Sequence, residues 1–155
     1  MTSNEAASAW ALAGGARPPR LPKGITLPTD RMLVMGILNV TPDSFSDGGR
    51  FFDPGAAFEH AVQMVEAGAD LVDLGGESTR PNSQRISEDE EWERIGATIQ
   101  RLTQAGIVVS VDTLHAITAR RAADAGAAII NDVSGGRWDP QMNAAVAQTS
   151  CARSE

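Results

Sequence analysis

The chain has 155 residues, 42% of them hydrophobic and 21% charged, the composition of a folded domain with a sizeable core. Tyr is absent, aromatic residues make up 5% and the net charge is −7, which argues against binding nucleic acid by base stacking or through its phosphates. A single cysteine, Cys151, excludes an intrachain disulfide, and no apolar run approaches a membrane span; with no sign of a secretory leader, the expected location is the cytoplasm.

Residues 1–29 are rich in Ala, Gly and Pro, with Pro18, Pro19 and Pro22 as breakers. They are expected to form a mostly disordered extension ahead of one domain over 30–155. Leu33 to Leu38 is a near-continuous apolar run. It predicts a strand of a parallel sheet buried on both faces, ending at Asn39. Asp53-Pro54 reads as an N-cap followed by proline at the first helical position. Phe58, Ala61, Val62 and Val65 then mark one apolar helix face, and Gly68 a stop. Asp70 to Leu74 is the second strand. Ser87-Glu88-Asp89-Glu90 fits a capping box, ahead of a helix that buries Trp92, Ile95, Ile99 and Leu102. Ile107 to Val111 forms the third strand and ends at Asp112. A helix from about Leu114 to Ala125 follows. The fourth strand begins at Ala128 to Ile130 and ends at Asn131-Asp132. Asp139-Pro140 opens a fourth helix by the same logic as Asp53-Pro54, and the tail after Cys151 does not read as a fifth strand.

Strand–helix alternation with short loops implies a parallel sheet with right-handed crossovers. A doubly wound open sheet and part of a (β/α)8 barrel both fit. No Gly-x-Gly-x-x-Gly follows the first strand, and the polar residues gather at the C-terminal strand ends, which favours the barrel. A complete barrel needs ~250 residues, so four βα units are half of one.

Each candidate site residue has two readings. Asn39 suits a hard cation such as Mg²⁺, or ties down its own turn; spacing alone favours the turn. Glu77-Ser78-Thr79-Arg80-Pro81 can hold an anionic group, or is a solvated loop, and the two readings balance. Asp112 and Asn131 end neighbouring strands and can converge on one planar ligand, matching the donor–acceptor edge of a pterin or purine. Alternatively, Asp112 and Thr113 cap the third helix. Asp73 is either an interior barrel polar group or part of a buried network. His60 and His115 fall on predicted helices away from the strand ends. Without His-x-x-x-His or a cysteine pair, zinc is not supported. Walker loop and nucleophile elbow are both absent.

Taken together and in order, these stretches resemble one family. Gly36-Ile37-Leu38-Asn39-Val40-Thr41-Pro42-Asp43-Ser44-Phe45-Ser46-Asp47-Gly48-Gly49 resembles the first signature of dihydropteroate synthases, and Asp73-Leu74-Gly75-Gly76-Glu77-Ser78-Thr79-Arg80-Pro81 the second. Ser110-Val111-Asp112-Thr113 and Ile130-Asn131-Asp132-Val133-Ser134-Gly135-Gly136 resemble the third and fourth strand ends. The likeness runs from Leu33 to Val146. It implies the N-terminal half of a (β/α)8 TIM-type barrel, in a homo-oligomeric transferase of folate biosynthesis that sulfonamides target. That enzyme condenses (7,8-dihydropterin-6-yl)methyl diphosphate with 4-aminobenzoate, using Mg²⁺, to give dihydropteroate and pyrophosphate.

By the same resemblance, Asn39 is the Mg²⁺ ligand and Thr79 contacts the pterin diphosphate. Asp112 and Asn131 bind the pterin, Asp43 shields a developing pterin cation, and Asp43 and Asp112 are the catalytic candidates. Phe45, Thr79, Arg80 and Pro81 lie near the aminobenzoate. The family's second half supplies another aspartate, a lysine, an arginine and a histidine, and no residue here takes those roles. The expectation is therefore a truncated form, with activity alone in question. The alternatives are a non-catalytic pterin-binding half-barrel and another pterin-dependent barrel, such as a methyltetrahydrofolate methyltransferase domain. The intact Ser78-Thr79-Arg80-Pro81 argues against the last.

Overall fold

The computed structural model describes residues 21–22, 24–41, 53–78 and 83–154. Five parallel strands make one sheet: β1 (Met35–Asn39), β2 (Leu71–Gly75), β3 (Val109–Asp112), β4 (Ile129–Asn131) and β5 (Ala152–Ser154), in that spatial order. Between them run α1 (Pro54–Glu66), α2 (Glu88–Gln104), α3 (Ala116–Asp124) and α4 (Met142–Ala147). A doubly wound sheet reverses its strand order at a switch point. Here the order never reverses, so crossovers of one hand lay every helix on the same face. This is the geometry of an opened barrel.

The core confirms that placement. Leu38, Val40, Val72, Leu74, Val109, Val111 and Ile130 point to one face of the sheet. They pack against Ala57, Ala61, Ile95, Ile99, Leu102, Ala119, Ala122, Met142 and Val146, which come from all four helices. Local signals set the helix ends. Asp53 accepts a hydrogen bond from the Gly55 amide at 2.8 Å with Pro54 at the first position, and Ser87 accepts from the Glu90 amide at 3.2 Å. Acidic residues Glu88 to Glu91 fill the first turn of α2, where the helix dipole favours them. Gly68, Gly106 and Gly126 end α1, α2 and α3 at positive φ (111°, 77° and 96°), the left-handed position that side chains resist.

Three expectations are corrected. First, the tail after Cys151 is a strand: β5 runs parallel to β4 with Ile129 opposite Ala152 and Asn131 opposite Ser154. Ala-Arg-Ser carries little strand propensity, and pairing with the open edge of β4 decides its conformation. Second, β1 is not buried on both faces. Leu38 and Val40 are buried, but Ile37 is 62% exposed and Met35 44%. β1 is an edge strand, and alternate residues of it face the side without helices. Third, Asp139 lies ahead of α4 rather than at its cap. One of its oxygens accepts from the Gln141 amide at 2.8 Å, and the other from the Ala116 amide at 2.9 Å. Asp139 therefore holds the start of α3 from 23 residues away. Most of the expected 1–29 extension lies outside the described residues. Among the described residues no helix is long and apolar enough to cross a membrane.

Candidate functional site

Strand register makes the site. Asn39 pairs with Gly75, Gly75 with Asp112, Asp112 with Asn131, and Asn131 with Ser154. These residues form one row across the C-terminal rim, on the face opposite the helices. One row below, Ile37, Asp73, Ser110 and Ile129 are in register. β1 to β4 thus present apolar residues to the helices, and the other face carries Asn39, Asp112 and Asn131 at the strand ends with Asp73 one row below.

Gly75 is the floor of the row. A Cβ built there would lie 3.4 Å from Asn39 Oδ1 and 3.8 Å from Asp112 Oδ2. The amide and the carboxylate therefore flank a patch of bare backbone, which a flat ligand can approach closely. Asp73, 5% exposed, accepts a hydrogen bond from Asn131 Nδ2 at 3.1 Å. Asp73 Oδ1 and Asp112 Oδ1 are buried without a hydrogen-bond partner among the described residues. Such oxygens are costly unless something donates to them.

Electrostatics sharpen this picture. Burial pushes the Asp112 carboxyl up to about 6 from 3.8, and the nearby charges of Asp73, Glu91, Asp132 and Glu77 add to the effect. Glu91 of α2 is fully buried, and burial raises its pKa as well, against the opposing hydrogen bond from Thr113. Thr113 Oγ1 donates to Glu91 Oε2 at 2.8 Å and accepts from the His115 amide at 3.1 Å. The turn after Asp112 is thereby pinned to α2. Asp132 braces its own turn after β4, its two oxygens accepting from the Ser134 and Gly136 amides at 2.8 and 2.7 Å. The site is thus an acidic rim on a rigid frame. A positively polarised N–H edge suits it.

Of the sequence-derived candidates, Asn39, Asp112 and Asn131 come together in the rim row. Asp43, Phe45, Thr79, Arg80 and Pro81 lie outside the described residues. The reading of Asp112 and Thr113 as helix caps fails: α3 has His115 at its N-cap without a side-chain cap, and Asp139 supplies the bond. Asp73, left undecided by sequence, faces the rim side, and its period-two phase with Gly75 is the signal that could have placed it. His115 is a correction. Its sequence position points to a helix away from the strand ends. Instead its Nε2 lies 3.2 Å from Glu77 Oε2, just past β2. That contact spans 38 residues of sequence, and no local pattern announces it.

The fit to Mg²⁺ follows from the donor set. Among the described residues, no cluster of three or more His, Cys, Asp or Glu side chains is placed to hold a metal. Asn39, exposed at the open end of the row, offers one amide oxygen. Mg²⁺ typically takes one or two protein ligands, keeps several waters and completes its shell with substrate phosphates. One amide oxygen is within that number of protein ligands.

Comparison with known proteins agrees with the fold. The family model for pterin binding enzymes matches residues 35–153. The dihydropteroate synthase of Bacillus subtilis is 50% identical over 120 residues, which cover 77% of this chain and 42% of that protein. The structure of Xanthomonas albilineans dihydropteroate synthase with 4-aminobenzoic acid superposes with a TM-score of 0.76 at 48% identity, over 83% of this chain and 48% of that one. Yersinia pestis dihydropteroate synthase, solved in a sulfonamide drug complex, gives 0.77 at 45% identity, over 84% and 48%. The chain spans less than half the length of these relatives.

Proposed function

Because the chain belongs to the pterin binding enzyme family, we propose that it carries the pterin-binding portion of a dihydropteroate synthase. The reaction joins (7,8-dihydropterin-6-yl)methyl diphosphate to 4-aminobenzoate and releases pyrophosphate. The observation that carries this reading is the rim row, with Asn39 and Asp112 flanking bare Gly75 and Asn131 beside them.

A pterin presents adjacent N–H donors on its aminopyrimidinone edge. Ionised Asp112, half-buried and with Oδ1 lacking a donor among the described residues, accepts from that edge. Asp73 accepts from the Asn131 amide and so sets its orientation for the neighbouring pterin atoms. Asn39 stands at the end of the row, where the diphosphate and its Mg²⁺ would sit. When bound, Mg²⁺ neutralises the diphosphate and makes it a better leaving group. The methylene C–O bond breaks with its electron pair leaving on pyrophosphate. The positive charge left on the methylene is delocalised into the pterin, above an acidic rim that stabilises it without reorganising. The aromatic amine lone pair forms the C–N bond, and the proton it loses passes to solvent. No protein nucleophile is required. By family resemblance Asp43 adds a carboxylate beside the cation, and Phe45, Thr79, Arg80 and Pro81 border the aminobenzoate and any sulfonamide. A homo-oligomer in the cytoplasm belongs to the same proposal.

The test is pyrophosphate release by the purified 155-residue chain, given the pterin diphosphate and Mg²⁺, with and without 4-aminobenzoate. Binding of 6-hydroxymethyl-7,8-dihydropterin is measured in parallel. Aminobenzoate-dependent release supports a working site in this length of chain. Pterin binding without release supports the binding portion alone. A soluble chain that binds no pterin refutes the proposal.

A further inference from the structure

The first turns of α2 reach the rim from the helix side. Glu91 and Arg94, three residues apart, share one face of that helix. Arg94 Nη1 donates to the Gly76 carbonyl at 2.9 Å. The stem of Glu91 packs against the same glycine: a Cβ built on Gly76 would lie 3.2 Å from Glu91 Cγ. At its tip, Glu91 Oε2 accepts from Thr113 Oγ1 at 2.8 Å. Glu91 therefore touches both strand ends that enclose the Gly75 floor, β2 through Gly76 and β3 through Thr113.

Stability alone does not account for this carboxyl. Glu91 is 0% exposed, and its Oε1 has no hydrogen-bond partner among the described residues. A buried carboxyl met at one oxygen only is costly, and an apolar side chain of similar volume is often as stable or more so. What Glu91 supplies is aim. Thr113 follows Asp112 directly. Its amide donates to the Asn131 carbonyl at 3.1 Å, and its hydroxyl donates to Glu91 while accepting from the His115 amide at 3.1 Å. A hydroxyl has one proton to give, so Glu91 takes the whole of it and fixes the Thr113 side chain. Among the described residues nothing donates to Asp112 Oδ1. The direction of the Asp112 carboxylate is therefore set by the turn that Thr113 and Glu91 hold.

We propose that Glu91 is a positioning residue: from the helix side of the sheet it fixes the Asp112–Thr113 turn and so aims the Asp112 carboxylate at the pterin edge. The identity of that ligand rests on the dihydropteroate synthase reading. The brace itself rests on geometry alone.

The test measures binding of 6-hydroxymethyl-7,8-dihydropterin to the full chain at pH 8, above the Asp112 titration near 6. Glu91→Leu removes the acceptor, and Glu91→Gln keeps one without the charge. Glu91→Leu should bind about tenfold more weakly, with a urea midpoint no lower than the parent's. Glu91→Gln should stay within about threefold. Thr113→Val removes the donor instead, should lose affinity by the same factor, and replaces Glu91→Leu if that variant does not fold. The deciding comparison is a cycle with Asp112→Asn. Because Glu91 acts through Asp112, Glu91→Leu should cost no further affinity in the Asp112→Asn background, within about twofold. Equal losses in the two backgrounds would mean a generally loosened site and overturn the proposal. A Glu91→Leu chain that binds like the parent overturns it as well, and so does a Glu91→Gln chain that binds as weakly as Glu91→Leu. If the unaltered chain binds no pterin, the function reading fails and takes the ligand with it. Hydrogen exchange at the Thr113 and His115 amides then decides the brace: about tenfold faster in Glu91→Leu than in Glu91→Gln if it holds, and equal in the two if it does not.

Discussion

Asp112 is the residue in this protein whose role in binding and whose effect on stability should pull in opposite directions. Its carboxyl titrates near 6 rather than 3.8, because it is buried and faces Asp73, Glu91, Asp132 and Glu77. A raised folded-state pKa means that the folded state holds the proton more tightly than the unfolded chain does. The contribution is fully present below 3.8, and it is lost as pH rises through 6. At full strength a difference of this size is worth ~3 kcal/mol. The group is partly open to solvent, so screening brings the expected loss down to ~1–2 kcal/mol. Asp112→Asn removes this titration while keeping the shape. Its amide N–H₂ can also donate to the carboxylates around it. The variant should therefore be ~1–2 kcal/mol more stable than the parent at pH 7.5, and the advantage should vanish at pH 3.5. It should also lose pterin affinity by more than about tenfold, because an amide offers a donor where the pterin edge needs an acceptor. Urea unfolding followed by tryptophan fluorescence at a series of pH values, with both proteins side by side, measures the difference. Glu91 is present in both proteins, and losing the Asp112 charge eases its ionisation, which adds to the difference in the same direction. An Asn variant that is less stable at pH 7.5, or a stability difference that does not depend on pH, would refute the electrostatic account of the rim.

Two neighbouring glycines should respond oppositely to the same added methyl. Gly75→Ala places its Cβ at ordinary contact distance from Asn39 and Asp112, on the ligand side. Calorimetry should find stability within ~1 kcal/mol of the parent and pterin binding weakened by about tenfold or more; unchanged binding would mean that the ligand does not lie on Gly75. Gly76→Ala drives its Cβ to 2.9 Å from Ile95 Cγ2 and 3.2 Å from Glu91 Cγ, in the packed interface with α2. It should cost ~1–3 kcal/mol in urea unfolding, and a neutral result would show that α2 can shift away.

Several features could be read from local sequence because their cause is local. Alternation of apolar residues and caps located β2 to β4 and α1 to α3 within a few residues. The recurrent glycines at helix ends mark a requirement for positive φ that any reader of the chain can see. Asn39, Asp112 and Asn131 were legible as site candidates because each stands where an apolar run ends, and in parallel strands such ends gather on one rim. Tertiary structure decided what depends on neighbours distant in sequence. Strand order separated the opened barrel from the doubly wound sheet, since both share the same alternation of elements. The edge position of β1 exposed Ile37, although its run reads as fully buried. The open edge of β4 made a strand of Ala152–Ser154, whose residues do not ask for one. Burial, with the charges of Asp73, Glu91, Asp132 and Glu77 behind it, raised the Asp112 pKa, and the fold brought His115 to Glu77 across 38 residues of sequence. Propensity and hydrophobic period act over a few residues, whereas burial, charge and strand pairing are set by whatever the fold brings into contact.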